Sequence, residues 1–402
     1  MTLTILIDLD DTLLDNDMGV FLPNYLNTLG NFMASTIDPN ILSSALRRGT
    51  SKMFENNSID RTLKSVFNDF FYSNIDFKED QIGNLINDFY KNEFPKLKNI
   101  TKPIPEAKTF IDRALERKYR IGIATNPLFP RTAIIQRLQW AGLDSNKYDF
   151  ALIPSYADFH FAKPNPAYFA EFISRIGWPE DPIIMIGNDP EHDIQGAKNF
   201  GIPAFQIIKH DISTKSNLTK RYGQGSINSV FDWIDRFNVK DLSPNFEKRT
   251  SIIAQLKGIP AAIDTIYNQT NTSSWNAHPN KNERGLLEIL CHVRDVEKEV
   301  NIPRIKKILN ETNPFISETD IDQWLETRKY QEQNKHSALP EYLNARKETI
   351  ALIENMSDLD WKRPANHALL GTTSLHELIR MINQHDRLII RQIHQVITEP
   401  TN

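Results

Sequence analysis

The residues best suited to chemistry lie near the start of the chain, just after a short apolar run that ends at Ile7. They are Asp8, Asp10, Asp11 and Thr12. Such a run is typical of a buried parallel strand, and open α/β sheets bind their ligands at the carboxyl ends of these strands. Three carboxylates there repel one another unless a cation is present, and Mg²⁺ takes oxygen ligands. The stretch predicts a Mg²⁺ site, and the alternative is a turn with solvated acids.

Further along, apolar strands alternate with helices, which is the pattern of a doubly wound parallel sheet. The sequence predicts strands at residues 119–126, 149–155, 182–189 and 202–208. Polar residues stand at or after the ends of these segments, namely Thr125, Asn126, Lys163, Asp189 and Asp193. We expect them at the same edge of the sheet as the first acids.

Phosphoryl transfer through an aspartyl-phosphate is the chemistry that needs this set of groups. One carboxylate attacks phosphorus. A second carboxylate, two residues on, protonates the leaving oxygen and later deprotonates water. A hydroxyl, an amide and an ammonium hold the remaining phosphate oxygens, and Mg²⁺ reduces the repulsion between nucleophile and phosphate.

The order of these groups resembles the haloacid dehalogenase-like superfamily. The matching segments are DLDDT from Asp8, an apolar strand ending at Thr125, Lys163 in AKPNP, and IGNDPEHDIQGA from Ile186. The resemblance covers about residues 1–240 and implies a Rossmann-like sheet with a helical cap. It also implies a catalytic set of Asp8 as nucleophile, Asp10 as acid/base, and Thr125 and Lys163 on the phosphate, with Lys163 compensating the charge of Asp8.

For the metal, the resemblance implies ligands from Asp8, the Asp10 carbonyl and Asp189, with Asp193 in support. Asn188 stands where many members have the metal-binding Asp, so the metal role is placed on Asp189. Asn126 is either a phosphate ligand or a turn former. The carboxylate at Asp10 favours a phosphatase over a dehalogenase, because an oxygen leaving group needs a proton donor.

A long helical segment at about residues 16–100 separates the first acids from the next strand, and we expect it to form a cap over the site. The first domain is predicted to span residues 1–240. A second, all-α domain is predicted at residues 249–400, where four amphipathic patterns indicate a four-helix bundle without strands.

The second half contains an early H-x-x-D from His292, the pair Asp360-Trp361, the run Gly371-x-x-Ser374-Leu375 and a late HDRLIIRQI from His385. In these features it resembles the DinB/YfiT-like helical bundles. Such proteins often hold a divalent metal with an early histidine and a late H-x3-H pair. His292 and His385 match two of these ligands, but Ile389 occupies the third position. His367, His394 or Glu288 are the remaining candidates for a third ligand. The sequence therefore leaves open a metal site at His292 and His385 or a buried, hydrogen-bonded histidine pair without metal.

The formal net charge of −4 argues against a general nucleic-acid binder. The chain has a single cysteine and no 18-residue apolar run. We therefore expect a cytoplasmic protein that does not insert into a membrane. The expected partner is a small phosphorylated molecule, and the bundle is either regulatory or a homodimerisation module.

These observations favour a Mg²⁺-dependent phosphatase that acts on a small phosphorylated metabolite. One alternative is a binding or scaffold protein with a vestigial phosphatase site. Another is a metal-dependent transferase of small thiols that acts through the bundle.

Overall fold

Parallel strands alternate with helices in the first part of the chain. The computed structural model describes residues 2–208, 218–272, 275–276, 278, 284–321 and 323–398. In chain order the first elements are β1 (Thr4–Ile7), β2 (Leu14–Asp15), α1 (Met18–Met33), α2 (Pro39–Glu55), α3 (Leu63–Tyr72), α4 (Glu79–Asp88), β3 (Lys102–Pro103), α5 (Pro105–Glu116), β4 (Arg120–Ile123), α6 (Arg131–Trp140), α7 (Pro166–Arg175), β5 (Ile183–Gly187), α8 (Gly196–Phe200), β6 (Ala204–Ile207), β7 (Tyr222–Gly225) and α9 (Ser229–Arg236).

Five of these strands form one parallel sheet in the order β4-β1-β5-β6-β7. Strand β1 is buried at every position because helices cover both faces of a sheet of this kind. Its last residue, Ile7, lies in register with Ile123 of β4 and Ile186 of β5. The chain segments that follow these three residues therefore leave the sheet at the same edge.

The sequence prediction of this sheet was wrong in two places. Residues 149–155 form no strand, because only Leu152 makes a bridge to Gly122 and Pro154 has no backbone N–H to continue the ladder. Strand β7 and helix α9 were not among the predicted elements. The doubly wound parallel fold itself is confirmed.

Helices α1 to α4 form the cap and are followed by a π-helical turn (Phe89–Glu93) and a 3₁₀ turn (Phe94–Ile100). Asp17 and Asp38 cap α1 and α2 by accepting backbone N–H groups of the first turn. The cap is joined to the sheet-bearing part through β2 and β3, which pair antiparallel with each other.

The chain divides into two compact units, Met1–Phe172 with Pro179–Phe246, and Ile173–Trp178 with Glu247–Asn402. The later elements are α10 (Arg249–Gln269), α11 (Leu286–Val296), α12 (Ile302–Asn310), β8 (Phe315–Ile316), α13 (Gln323–Thr327), α14 (Lys335–Glu354), β9 (Pro364–His367), β10 (Gly371–Ser374) and α15 (Leu375–Thr398). None of the described helices is both long and apolar enough to cross a membrane.

In the second unit, α10 and α11 both pack against α14 and α15, and this arrangement confirms the predicted helical bundle. The prediction that this half contains no strand was wrong. Strands β8, β9 and β10 form a small three-stranded sheet, and strands of two to four residues are too short to show an alternating pattern.

A buried ion-pair cluster lies inside the bundle. The guanidinium of Arg346 donates two hydrogen bonds to the carboxylate of Asp386, at 2.6 and 3.0 Å, and its Nε lies 3.1 Å from the carboxylate of Glu297. All three side chains are buried. A buried charge without a partner lowers the stability of the folded state. Removing any one of these three side chains should therefore destabilise the bundle.

Candidate active site

Lys163 connects the first and the last of the predicted acidic motifs. Its ammonium donates to Oδ1 of Asp8 at 2.8 Å and to Oδ1 of Asp193 at 2.5 Å. Only 2% of Lys163, 6% of Asp8 and 1% of Asp193 is exposed. No described residue donates a hydrogen bond to Oδ2 of Asp8. The structure thus brings these three residues together and leaves one oxygen of Asp8 available for reaction.

The loop that carries Lys163 is held by buried polar groups. The carboxylate of Glu171 accepts the backbone N–H groups of His160 and Phe161 and contacts the His160 ring at 2.8 Å. Asn126 accepts the backbone N–H of Lys163 and donates to its carbonyl. Asn126 therefore positions Lys163 through its backbone, which is a role that the sequence analysis did not predict.

Asp10 is held by two residues that the sequence analysis missed. Asn16 donates to its Oδ1 at 2.7 Å, and Arg137 donates to its Oδ2 at 2.5 Å. Arg137 is 1% exposed and also lies over the ring of Phe129. No local pattern marks Arg137, because it lies within a helix and 127 positions from Asp10.

The two aspartates that follow β5, Asp189 and Asp193, have different hydrogen-bond partners. Asp189 accepts backbone N–H groups of Glu191 and His192 at 2.8 Å, so its carboxylate caps the following turn. Asp193 accepts the backbone N–H of Asp189, and its carboxylate packs so closely on Gly187 that a β-carbon there would lie 2.2 Å from Oδ2. Position 187 therefore has to be glycine.

Asn188 lies against the loop that follows β1. Its side-chain oxygen accepts a hydrogen bond from the hydroxyl of Thr12 at 3.3 Å. Thr125 is buried, and its carbonyl accepts a hydrogen bond from Tyr168. Asn188, Asp189 and Thr125 all line the same cavity as Asp8.

Burial and charge shift the acid–base properties of the central pair. Burial raises the pKa of Asp8 to about 8, although the ammonium of Lys163 acts to lower it. Burial lowers the pKa of Lys163, but the carboxylates of Asp193 and Asp8 outweigh this effect and hold the pKa above its usual range. Lys163 is therefore a permanent cation beside the carboxylate that faces the cavity.

A cavity of about 650 Å³ connects this edge of the sheet with the cap. Asp8, Asp10, Thr125 and Lys163 line one end, and residues from all four cap helices line much of the remainder. Its volume lies within the range of small-molecule sites, which is roughly 300–1,000 Å³.

Within the described part of the chain, no three His, Cys, Asp or Glu side chains converge in a way that could hold a metal ion. Mg²⁺ does not require such a cluster, because proteins bind it through one or two carboxylates, water and substrate phosphate. Asp8 Oδ2 and the side-chain oxygens of Asn188 and Asp189 are hard donors, so the residues at this edge fit Mg²⁺ chemically.

The structure brings the two predicted histidines of the bundle together. The rings of His292 and His385 have their centroids 5.6 Å apart, and His292 is 1% exposed. Burial, together with the nearby Arg284 and His385, lowers the pKa of His292 to about 3. Among the described residues no third ligand joins this pair, and buried Ile389 keeps the position apolar.

The fold and the site define an α/β enzyme with an aspartate and a lysine at the carboxyl edge of its sheet, beneath a helical cap. The family model described as haloacid dehalogenase-like hydrolase matches residues 5–207, about half of the chain. The chain belongs to the haloacid dehalogenase-like hydrolases. Residues 255–393 match the model of the DinB superfamily, which confirms the resemblance of the second half.

Individual relatives are distant. A phosphoserine phosphatase from Thermus thermophilus is 28% identical over 105 residues, which are 26% of this chain and 39% of that protein. A 2-haloacid dehalogenase from Pseudomonas syringae is 19% identical, with a TM-score of 0.41, and the match covers 59% of this chain and 99% of that one. The four-helix-bundle protein YfiT from Bacillus subtilis is 19% identical, with a TM-score of 0.34, over 38% of this chain and 88% of its own.

Proposed function

We propose that the chain is a Mg²⁺-dependent phosphatase that hydrolyses a small phosphate monoester through an aspartyl-phosphate on Asp8. The observation that carries this proposal is the contact of the buried Lys163 ammonium with Oδ1 of Asp8. This contact orients the carboxylate of Asp8, which lines the cavity, supplies positive charge where phosphate oxygens would lie, and leaves Oδ2 without a hydrogen bond. Asp10, two residues on, lines the same end of the cavity.

In the first step Oδ2 of Asp8 forms a bond to phosphorus while the bond from phosphorus to the leaving oxygen breaks. Asp10 gives that oxygen a proton, and the alcohol leaves. In the second step water attacks phosphorus, Asp10 takes a proton from it, and the bond to Asp8 breaks to release phosphate. Arg137 and Asn16 orient Asp10 in both steps.

Mg²⁺, when bound, reduces the repulsion between the Asp8 carboxylate and the phosphate. Asp8, the Asp10 carbonyl and an oxygen of Asn188 or Asp189 would hold it. In this proposal the partner is a small phosphorylated molecule of the cytoplasm, and neither nucleic acid nor a membrane takes part. Homodimerisation through the helical unit stays a prediction.

The substitution Asp8→Asn tests the proposal. The full chain is assayed with Mg²⁺ for phosphate release from a panel of phosphorylated metabolites, and an acid quench followed by mass spectrometry reports a phosphoryl group on the peptide that contains Asp8. We expect Asp8→Asn to abolish both signals with the fold intact. The control is Asp232→Asn, at an exposed position of α9 outside the lining of the cavity. Unchanged turnover in Asp8→Asn would contradict the proposal.

A further inference from the structure

One face of helix α1 lines the cavity over the whole length of the helix. The residues on this face are Met18, Leu22, Tyr25, Leu26, Leu29 and Met33. A helical rise of 1.5 Å per residue separates the first from the last by about 22 Å. Met18 marks the catalytic end, because its sulfur contacts Asn16, the residue that donates to Asp10. The cavity therefore extends from the catalytic loop deep into the cap.

The walls of this extension are mainly apolar. Phe67 and Phe71 of α3 stack on each other at 5.0 Å between ring centroids, and both line the cavity. The hydroxyls of Tyr25 and Tyr90 bond to each other at 2.8 Å. A ligand in this part of the cavity would therefore meet mainly hydrocarbon and aromatic surface.

The charged cap residues in the lining belong to its solvent-exposed side. Lys64 and Glu79 form an ion pair at 2.7 Å, and their side chains are 38% and 51% exposed. Arg47 is likewise exposed, and it donates to Ser43 on its own helix. These side chains reach solvent, whereas the buried cations among the described lining residues are Lys163 and Arg137, which both contact acids of the catalytic end.

We propose that this cavity holds the leaving group of a phosphate monoester whose phosphate is attached to an elongated apolar group. This inference rests on the proposed phosphatase function and adds its substrate class. The phosphate lies at Lys163 and Asp8, and the apolar group lies along α1 between the cap helices. Each methylene that moves from water into such surroundings improves binding by about fourfold.

The test measures kcat/KM of the full chain with Mg²⁺ for straight-chain alkyl phosphates from butyl to decyl, with glycerol phosphate and phosphoserine for comparison. We expect kcat/KM to rise by up to about fourfold per added methylene. Phosphate release that is flat or falls with chain length would overturn the substrate class while leaving the phosphatase function standing. Absence of release from every compound, including the short and polar ones, would instead refute the phosphatase function.

A cavity-filling variant gives a second test, in which the protein is changed and the substrates stay the same. Gly83 of α4 lines the cavity, and a β-carbon there would meet only Glu79, at 4.0 Å. Gly83→Phe is therefore expected to enter the cavity and to reduce the preference for decyl over butyl phosphate at least tenfold. The control is Asn84→Phe, at an exposed position of the same helix outside the lining. Equal loss with both substrates, or an unchanged preference, in Gly83→Phe and in the smaller Gly83→Leu would overturn the proposal.

Discussion

Replacing Lys163 by methionine tests the electrostatic design of the site. The substitution removes the cation but keeps a flexible side chain of similar length, so the carboxylates of Asp8 and Asp193 stay buried without their shared partner. Breaking a buried ion pair by removing one partner costs about 3–5 kcal/mol. Because whole domains are stable by only about 5–15 kcal/mol, we expect a large fall in the stability of the first unit and loss of phosphate release.

Urea unfolding of the full chain in metal-free buffer measures this effect, with the transitions of the two units fitted separately. The matched control is Lys147→Met, which changes an exposed lysine and is expected to alter the free energy of unfolding by less than about 0.5 kcal/mol. Adding Asp193→Asn to Lys163→Met removes one of the stranded charges. The double variant should therefore be more stable than Lys163→Met alone.

The pH dependence of the loss gives a second check. Because burial raises the pKa of Asp8 from 3.8 to about 8, its proton stabilises the folded state fully below the lower value. That contribution disappears as the pH rises through the higher value. Removing Lys163 raises the pKa of Asp8 further, so the wild type and Lys163→Met lose stability in parallel below about pH 7, and the deficit of Lys163→Met should grow only above about pH 8. A deficit under about 1 kcal/mol at about pH 9, or the same deficit at about pH 6 and at about pH 9, would refute the reasoning.

Three further predictions concern metal, the bundle and acid. Mg²⁺ should raise the melting temperature more at about pH 8 than at about pH 6, because Asp8 must lose its proton to bind a cation, and an equal shift at both would contradict this. Arg346→Met should lower the free energy of unfolding in urea by about 3–5 kcal/mol, because it leaves two buried carboxylates without a counter-charge. The control is Lys347→Met, at an exposed position of α14, and an equal effect there would show that the ion pairs are not the cause. Because the pKa of His292 is lowered to about 3, its contribution to stability is complete above about pH 6.5 and falls by up to about 1.4 kcal/mol per pH unit below it. Urea unfolding with a chelator tests this, and the slope should flatten in His292→Phe.

The main features of the first domain could be predicted from the sequence because they depend on local patterns. The apolar run that is followed by acids predicts both strand β1 and the position of the acids at the carboxyl edge of the sheet. The register of Ile7 with Ile123 and Ile186 agrees with this position. Asp8 and Lys163 are 155 positions apart, yet the resemblance to the haloacid dehalogenase-like superfamily already implied that they lie close together.

What could not be predicted depends on side-chain packing between distant elements. Arg137 looks like an ordinary helical residue until α6 is placed beside the loop of Asp10. Asn126 was assigned to phosphate or a turn, because sequence does not show that its amide reaches the backbone of Lys163. The cavity along α1 also depends on how four helices meet, and their amphipathic patterns do not encode the space between them.

The short ribbon of β2 and β3 has a consequence for how this enzyme acquires new substrates. Asp15 and Lys102 are paired neighbours, so the chain enters and leaves the cap at nearly the same point, within about 5.5 Å across the pair. An insertion with adjacent ends can be exchanged for another without altering the order of the strands that carry Asp8 and Lys163. The cap can therefore be exchanged as one unit, together with the substrate specificity that it carries. Grafting a foreign helical insert at this ribbon is a direct route to changing the substrate of the hydrolase.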